Sequence, residues 1–172
     1  MPYLRERDMY GAVQAWLRVR LQHHYPRAMI RVLDTSQEQL TRVIRREHVA
    51  QGLPADWVSW DIHVDITGFI MAPQQTKIAF IECKNKPLTL DHLSQLLGYS
   101  RVARPEHALL IAPQGIGTAL RSLILTYQRR DVLTYEQQPG QLEHALTLAR
   151  WDEQRNDLER STIITGRRAF PL

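Results

Sequence analysis

Residues 77–84, KIAFIECK, constrain the fold more than any other stretch of the chain. The run is apolar and β-branched enough to be a buried strand, yet it ends with two opposite charges on one side. Side chains alternate along a strand, so Ile78, Phe80, Glu82 and Lys84 share one face and Ala79, Ile81 and Cys83 the other. An amphipathic helix follows at 89–103, with Thr89 as its cap, Leu93, Leu96 and Leu97 inward and Pro105 beyond its end. A second apolar run, 107–112, then reads as another buried strand. Before the strand, 58–71 alternates over its centre and is joined to KIAFIECK by PQQT, the pattern of a hairpin.

The remaining segments extend this frame. Residues 4–24 carry Met9, Val13, Trp16, Leu17 and Leu21 at helical spacing, with Pro26 after them. Residues 28–34 form a short strand, and TSQEQLTRVIRREHVAQG predicts an exposed helix capped by Thr35 or Ser36 and closed at Gly52. After 112 the sequence predicts a helix over 115–130, a strand over 131–137 and a final amphipathic helix over 141–160. The last dozen residues, with Arg167 and Arg168, show no period. The expected architecture is α/β, a mixed sheet with helices on both faces, in one domain over 1–172.

Composition narrows the classes. With 172 residues and 44% hydrophobic content the chain can bury a sizeable core. No apolar run approaches the roughly 20 residues that span a bilayer, and the N-terminus lacks the apolar centre of a signal peptide; the expectation is a cytoplasmic chain without a membrane. The single cysteine, Cys83, precludes an internal disulfide. A net charge of +4 permits an acidic partner without requiring one.

The charges suggest chemistry. Glu82 and Lys84 stand about 7 Å apart along the strand. If residue 72 lies opposite 77, then 67 faces 82 and 65 faces 84, which brings Asp65 within a residue or two of Glu82. Alone, Glu82 and Lys84 read as an edge-strand ion pair worth about 0.2–1 kcal/mol. With Asp65, the carboxylates and the Cys83 backbone carbonyl make a hard oxygen seat for Mg²⁺ or Mn²⁺, and the lysine can orient a water or stabilise a phosphoryl transition state. Asp61 and His63 share the face of Asp65 and read as solvent-exposed.

Asp65 in HVDITGF, FIECK seventeen residues on, and a helix carrying Gln95 and Tyr99 together resemble the PD-(D/E)xK nuclease superfamily, with its restriction-endonuclease-like fold. The likeness covers about 4–112, where the element order matches that family's αβββαβ core; 113–172 would be a C-terminal extension. Val64 stands where the family often has proline. The resemblance implies Asp65 and Glu82 as metal-binding carboxylates, Lys84 as the catalytic lysine, and Gln95 and Tyr99 as site-lining, DNA-touching residues. Glu6 would be a helix-1 carboxylate assisting the metal, with Asp8 competing. An acid in the first helical turn is explained as well by the helix dipole, and Gln95 and Tyr99 by a polar helix shoulder. It implies a Mg²⁺- or Mn²⁺-dependent hydrolase of nucleic acid, DNA before RNA. Arg5, Arg7, Arg18, Arg20, Arg45, Arg46 and Arg101 would be candidates for phosphate contacts, and analogy suggests a homodimer. The alternative is a nucleic-acid-binding or assembly module that keeps the fold without the chemistry.

Overall fold

In the computed structural model, which describes residues 3–136 and 143–166, a mixed sheet is sandwiched between helices. A 3-10 turn, Glu6–Met9, leads into α1 (Tyr10–His24), followed by β1 (Met29–Asp34) and α2 (Leu40–Arg46). Next come β2 (Ile66–Met71), β3 (Thr76–Cys83), α3 (Leu90–Ala103), β4 (His107–Ala112) and a single turn, α4 (Thr118–Arg121). The rest is extended: β5 (Thr134–Glu136), β6 (His144–Ala145), β7 (Thr147–Asp152), β8 (Asp157–Leu158) and β9 (Ile164–Thr165). The main sheet runs β1-β2-β3-β4-β7-β8, with β9 also on β7; β5 and β6 pair separately. β3, β4 and β7 are mutually parallel and the other pairings antiparallel. No helix among the described residues is long and apolar enough to cross a membrane.

The alternation of side chains divides the core. Ile78 and Phe80 join Leu110, Leu148 and the α3 residues Leu93 and Leu96 on one side. Ala79, Ile81 and Cys83 join Leu109, Ile111, Ala149 and the α1 residues Val13, Leu17 and Leu21 on the other. Strands buried on both faces are what a parallel centre requires, because its crossovers lay helices over each side. α1 lies close on β2 at Gly68, where a Cβ would come within 2.8 Å of Leu21 Cδ1 and 3.3 Å of Leu17 Cδ2.

Several expected elements differ. The β2–β3 hairpin turns through Pro73 and Gln74 alone: Ala72 N–H donates to Gln75 O (2.9 Å) and Gln75 N–H to Ala72 O (3.3 Å). The register is Met71↔Thr76, Thr67↔Phe80 and Ile66↔Ile81, two residues from the expected one. An even shift leaves every side chain on its expected face. β2 also starts at Ile66 rather than 58. Residues 55–59 form a 3-10 turn, and 60–64 run outside the ladder. The chain bends at Asp65, so Ile62 and Val64 enter the α3-side core while Ile66 enters the α1 side.

The helix expected from Thr35 shrinks to α2, with Gln39 at its N-cap. Thr35 is not a cap: its N–H donates to Asp65 O (2.8 Å) and its hydroxyl to Val64 O (2.6 Å). His48, at φ 55°, carries the chain away before Gly52. The 115–130 helix is reduced to α4 and a π turn over 122–126. Gly117 at its N-cap is held against Leu88, whose carbonyl would lie 2.7 Å from a Cβ there. The strand expected over 131–137 becomes a 3-10 turn, Arg130–Leu133, followed by β5.

The largest correction concerns 141–160, where strands replace the expected amphipathic helix. The parallel edge of β4 needs a backbone partner, and Thr147–Arg150 supplies it in register with Leu109–Ala112. Residues 137–142 of these two expected elements, and Arg167 and Arg168, lie outside the described residues. The segment after 112 is thus a structural part of the central sheet. Leu148 is fully buried between β4 and the helix layer, so Leu148→Ala is expected to cost about 2–5 kcal/mol, measured as a lowered midpoint in urea denaturation.

Candidate active site

The site forms where the β2–β3 ladder ends. The ladder ends at Ile66↔Ile81, and Asp65 follows at its edge beside Glu82 and Cys83. Lys84 N–H donates across to Ile111 O of β4 (2.9 Å), so the preceding residue, Cys83, turns its N–H and C=O toward the β2 side. No strand continues there. The Cys83 N–H instead donates to Asp65 Oδ2 at 2.8 Å, and Tyr10 of α1 donates its hydroxyl to Asp65 Oδ1 at 2.5 Å. With Thr35 holding the backbone of Val64 and Asp65, and its hydroxyl 2.9 Å from that of Thr67, the carboxylate is fixed from three elements.

Glu82 is only 2% exposed and Asp65 8%. Lys84 Nζ lies 2.8 Å from Glu82 Oε1 and 3.4 Å from Glu6 Oε1, which the 3-10 turn before α1 delivers. Glu82 Oε2 is buried and has no hydrogen-bond partner among the described residues, although the Asp65 backbone N–H also favours the charged carboxylate. Burial, and then the Asp65 charge, push the Glu82 carboxyl up to about 7, against the pull of Lys84. Asp65 is raised too: burial outweighs its bonds from Tyr10 and the Cys83 N–H. Burial acts to lower Lys84, but Glu82, Asp65 and Glu6 raise it on balance, so the ammonium keeps its proton. Tyr10 and Cys83 are raised chiefly by burial and remain neutral.

The structure therefore brings together Asp65, Glu82, Lys84, the Cys83 backbone and Glu6. Asp8 is turned away: it accepts from the Arg5 backbone at 3.0 Å and guanidinium at 3.1 Å. Gln95 is exposed and Tyr99 packs against the α3-side core; neither forms a hydrogen bond to the site among the described residues. Asp61 and His63 are exposed, and Asp61 accepts from Gln39 at 2.7 Å. Of the candidate arginines, Arg5, Arg20 and Arg46 are held by Asp8, Asp157 and Glu38 respectively, and Arg45 lies over Trp57. Arg7, Arg18 and Arg101 are exposed and in no ion pair among the described residues.

Sequence reasoning missed Tyr10, Thr35 and His92. Tyr10 lies three residues before Val13 and seven before Leu17, so a hydroxyl on the buried stripe was the available signal. His92 accepts from the Thr89 N–H at 3.2 Å; burial and the nearby Lys84 charge keep its pKa low.

The donors suit a hard divalent ion. Among the described residues Glu82 Oε2 has no hydrogen-bond partner and each Asp65 oxygen accepts one hydrogen bond, and the Cys83 carbonyl is directed toward the β2 side. Among the described residues no group of three or more His, Cys, Asp or Glu side chains is placed to hold a metal; a magnesium ion needs only one or two carboxylates beside carbonyl and water oxygens. No family model, curated protein or solved structure matches this chain.

Tyr10→Phe leaves the buried Asp65 Oδ1 without its donor and is expected to lower stability by about 1–3 kcal/mol, read from urea denaturation at pH 7.5. The pH dependence has a definite sign. Glu82 has an ordinary value of 4.5 and about 7 when folded, so the folded protein binds the extra proton between them. Its contribution to stability is full below about 4.5 and lost as pH rises through about 7. Glu82→Gln is therefore expected to flatten the fall in unfolding free energy between pH 5 and 8; an unchanged slope would refute the assigned titration.

Proposed function

We propose that the chain is a metal-dependent nuclease of the PD-(D/E)xK type, hydrolysing phosphodiester bonds in nucleic acid, with DNA the first substrate to test. The observation that carries this reading is the meeting of Asp65, Glu82 and Lys84 at one buried strand end, beside the Cys83 carbonyl. Isolated buried carboxylates are costly to maintain, and an acid left with an unpartnered oxygen is better explained by a ligand than by packing.

Asp65, Glu82 and the Cys83 carbonyl would hold Mg²⁺ or Mn²⁺, with Glu6 on the flank. A bound ion of this kind polarises a phosphodiester and lowers the pKa of a coordinated water. Tyr10 and the Cys83 N–H keep Asp65 oriented by occupying one lone pair on each oxygen. With its ammonium held by Glu82 and Glu6, Lys84 would act as a hydrogen-bond donor to charge developing on the phosphoryl oxygens. Exposed Arg7, in the turn before α1, and Arg18, midway along α1, would meet the phosphate backbone, making binding salt-sensitive.

A second reading, a nucleic-acid-binding or assembly module without catalysis, draws support from Lys84 itself, which pairs with Glu82 and Glu6 without any ion. Cleavage of plasmid and of labelled single-stranded, duplex and branched DNA with Mg²⁺ or Mn²⁺ separates the two. Lys84→Ala and Glu82→Ala are expected to lose at least about 10²-fold in rate. No cutting of any substrate, with no ion binding by calorimetry, would sink the nuclease and leave the module.

A further inference from the structure

Beside the site, at the carboxyl ends of β4 and β7, lies a cavity of about 780 Å³ lined by residues including Tyr3, Gln114, Arg150, Gln154 and Arg155. None of the proposed catalytic residues lines it, but two of its lining residues are tied to their chain neighbours. The Gln114 amide donates to the carbonyl of Asn85, the residue after Lys84, at 2.8 Å. Tyr3 stands three residues before Glu6 on the same N-terminal segment, and its N–H donates to Glu153 Oε1 at 3.3 Å. From β3 across β4 to β7 is two strand spacings, roughly 10 Å. A crevice at the carboxyl ends of parallel strands is where open α/β sheets commonly bind ligands.

We propose that this cavity receives an unpaired nucleobase adjacent to the scissile phosphate, so that the preferred substrate is single-stranded or carries an unpaired nucleotide. The inference rests on the nuclease reading for its location, and on the cavity's own chemistry for its ligand. Two arginines, Arg150 and Arg155, face three carboxylates, Asp152, Glu153 and Glu159, so the lining carries a net −1. That charge disfavours a phosphate track. A mixture of donors and acceptors instead suits a base edge, which presents both.

The lining combines side chains held by hydrogen bonds with exposed ones. Arg150 is tied down by Nε to the Pro113 carbonyl at 2.9 Å and by its guanidinium to Glu159 at 3.2 Å. Asp152 Oδ1 closes the β7–β8 turn by accepting from the N–H groups of Gln154 (2.9 Å) and Arg155 (3.2 Å). The turn thus presents the Gln154 amide, which has no side-chain partner among the described residues. It also presents Arg155, 83% exposed and only 3.6 Å from Asp152 Oδ2, too far for a hydrogen bond. Gln114 keeps its amide oxygen, and Tyr3 supplies an aromatic ring on which a base can stack. The volume falls in the range of small-ligand sites, about 300–1,000 Å³, and is too small to admit a duplex about 20 Å wide.

The test is fluorescence anisotropy of the cleavage-dead Lys84→Ala protein with three labelled DNAs of one sequence: single strand, paired duplex, and duplex with one unpaired base. The same measurement is made after adding Gln154→Ala and Arg155→Ala, two exposed substitutions that spare the core. Expected is a preference of about tenfold or more for the single strand and the unpaired base over the paired duplex, falling towards unity in the variant. Equal binding of all three DNAs, an unchanged preference in the variant, or no binding would overturn the inference. Failure of the nuclease reading shows separately, as absence of cleavage by the wild-type protein while the binding preference persists.

Discussion

The hydrogen bond from the Cys83 backbone to the Asp65 carboxylate joins the sheet to the site. At that point the antiparallel ladder stops, and a strand N–H that would have gone to another main chain goes to a side chain. Everything nearby depends on this substitution. The two-residue turn at Pro73–Gln74 sets the register, the register brings the end of β2 level with Ile81, and past the bend at Asp65 the carboxylate reaches the Cys83 N–H of β3. Tyr10 fixes the other oxygen from α1, whose close seat on β2 depends on the absence of a side chain at Gly68.

Charge burial is the second constraint. Two carboxylates and an ammonium in a core end would each incur a desolvation cost of several kcal/mol if unpaired. The structure offsets this through Lys84, which lies between Glu82 and Glu6, and through two donors to Asp65. The compensation is incomplete on the Glu82 side, where one oxygen has no hydrogen-bond partner among the described residues and the carboxyl holds its proton up to about 7. A group left in that state is poised to exchange its proton for another positive charge, which links the electrostatics to the proposed chemistry.

Much of this could be read from the chain. Alternation in 78–84 predicted which side chains face each helix, and Glu82 and Lys84 were visible as a polar end on an oily strand. Thr89 stands at the expected N-cap of α3, and β4 spans the expected 107–112. The hairpin was legible but its register was off by two, because Pro73 and Gln74 make the turn and Gln75 and Thr76 extend the ladder. Thr35 looked like a cap because threonine before a polar, helix-forming run usually is one; its hydroxyl was needed instead at Val64.

Local sequence determined those features whose hydrogen bonds or packing close within a few residues: α1, α3 with its cap, the short apolar strands, and the spacing of Glu82 and Lys84. Tertiary structure decided the rest. Residues 147–152 have enough apolar content for a helix face or a strand, and they became β7 because the open edge of β4 offered a row of unpaired N–H and C=O groups. Tyr10 became a partner of Asp65 although 55 residues separate them. A helix satisfies its backbone internally and so leaves a period in its own sequence, whereas a sheet satisfies each strand from another part of the chain, and only the folded molecule says which.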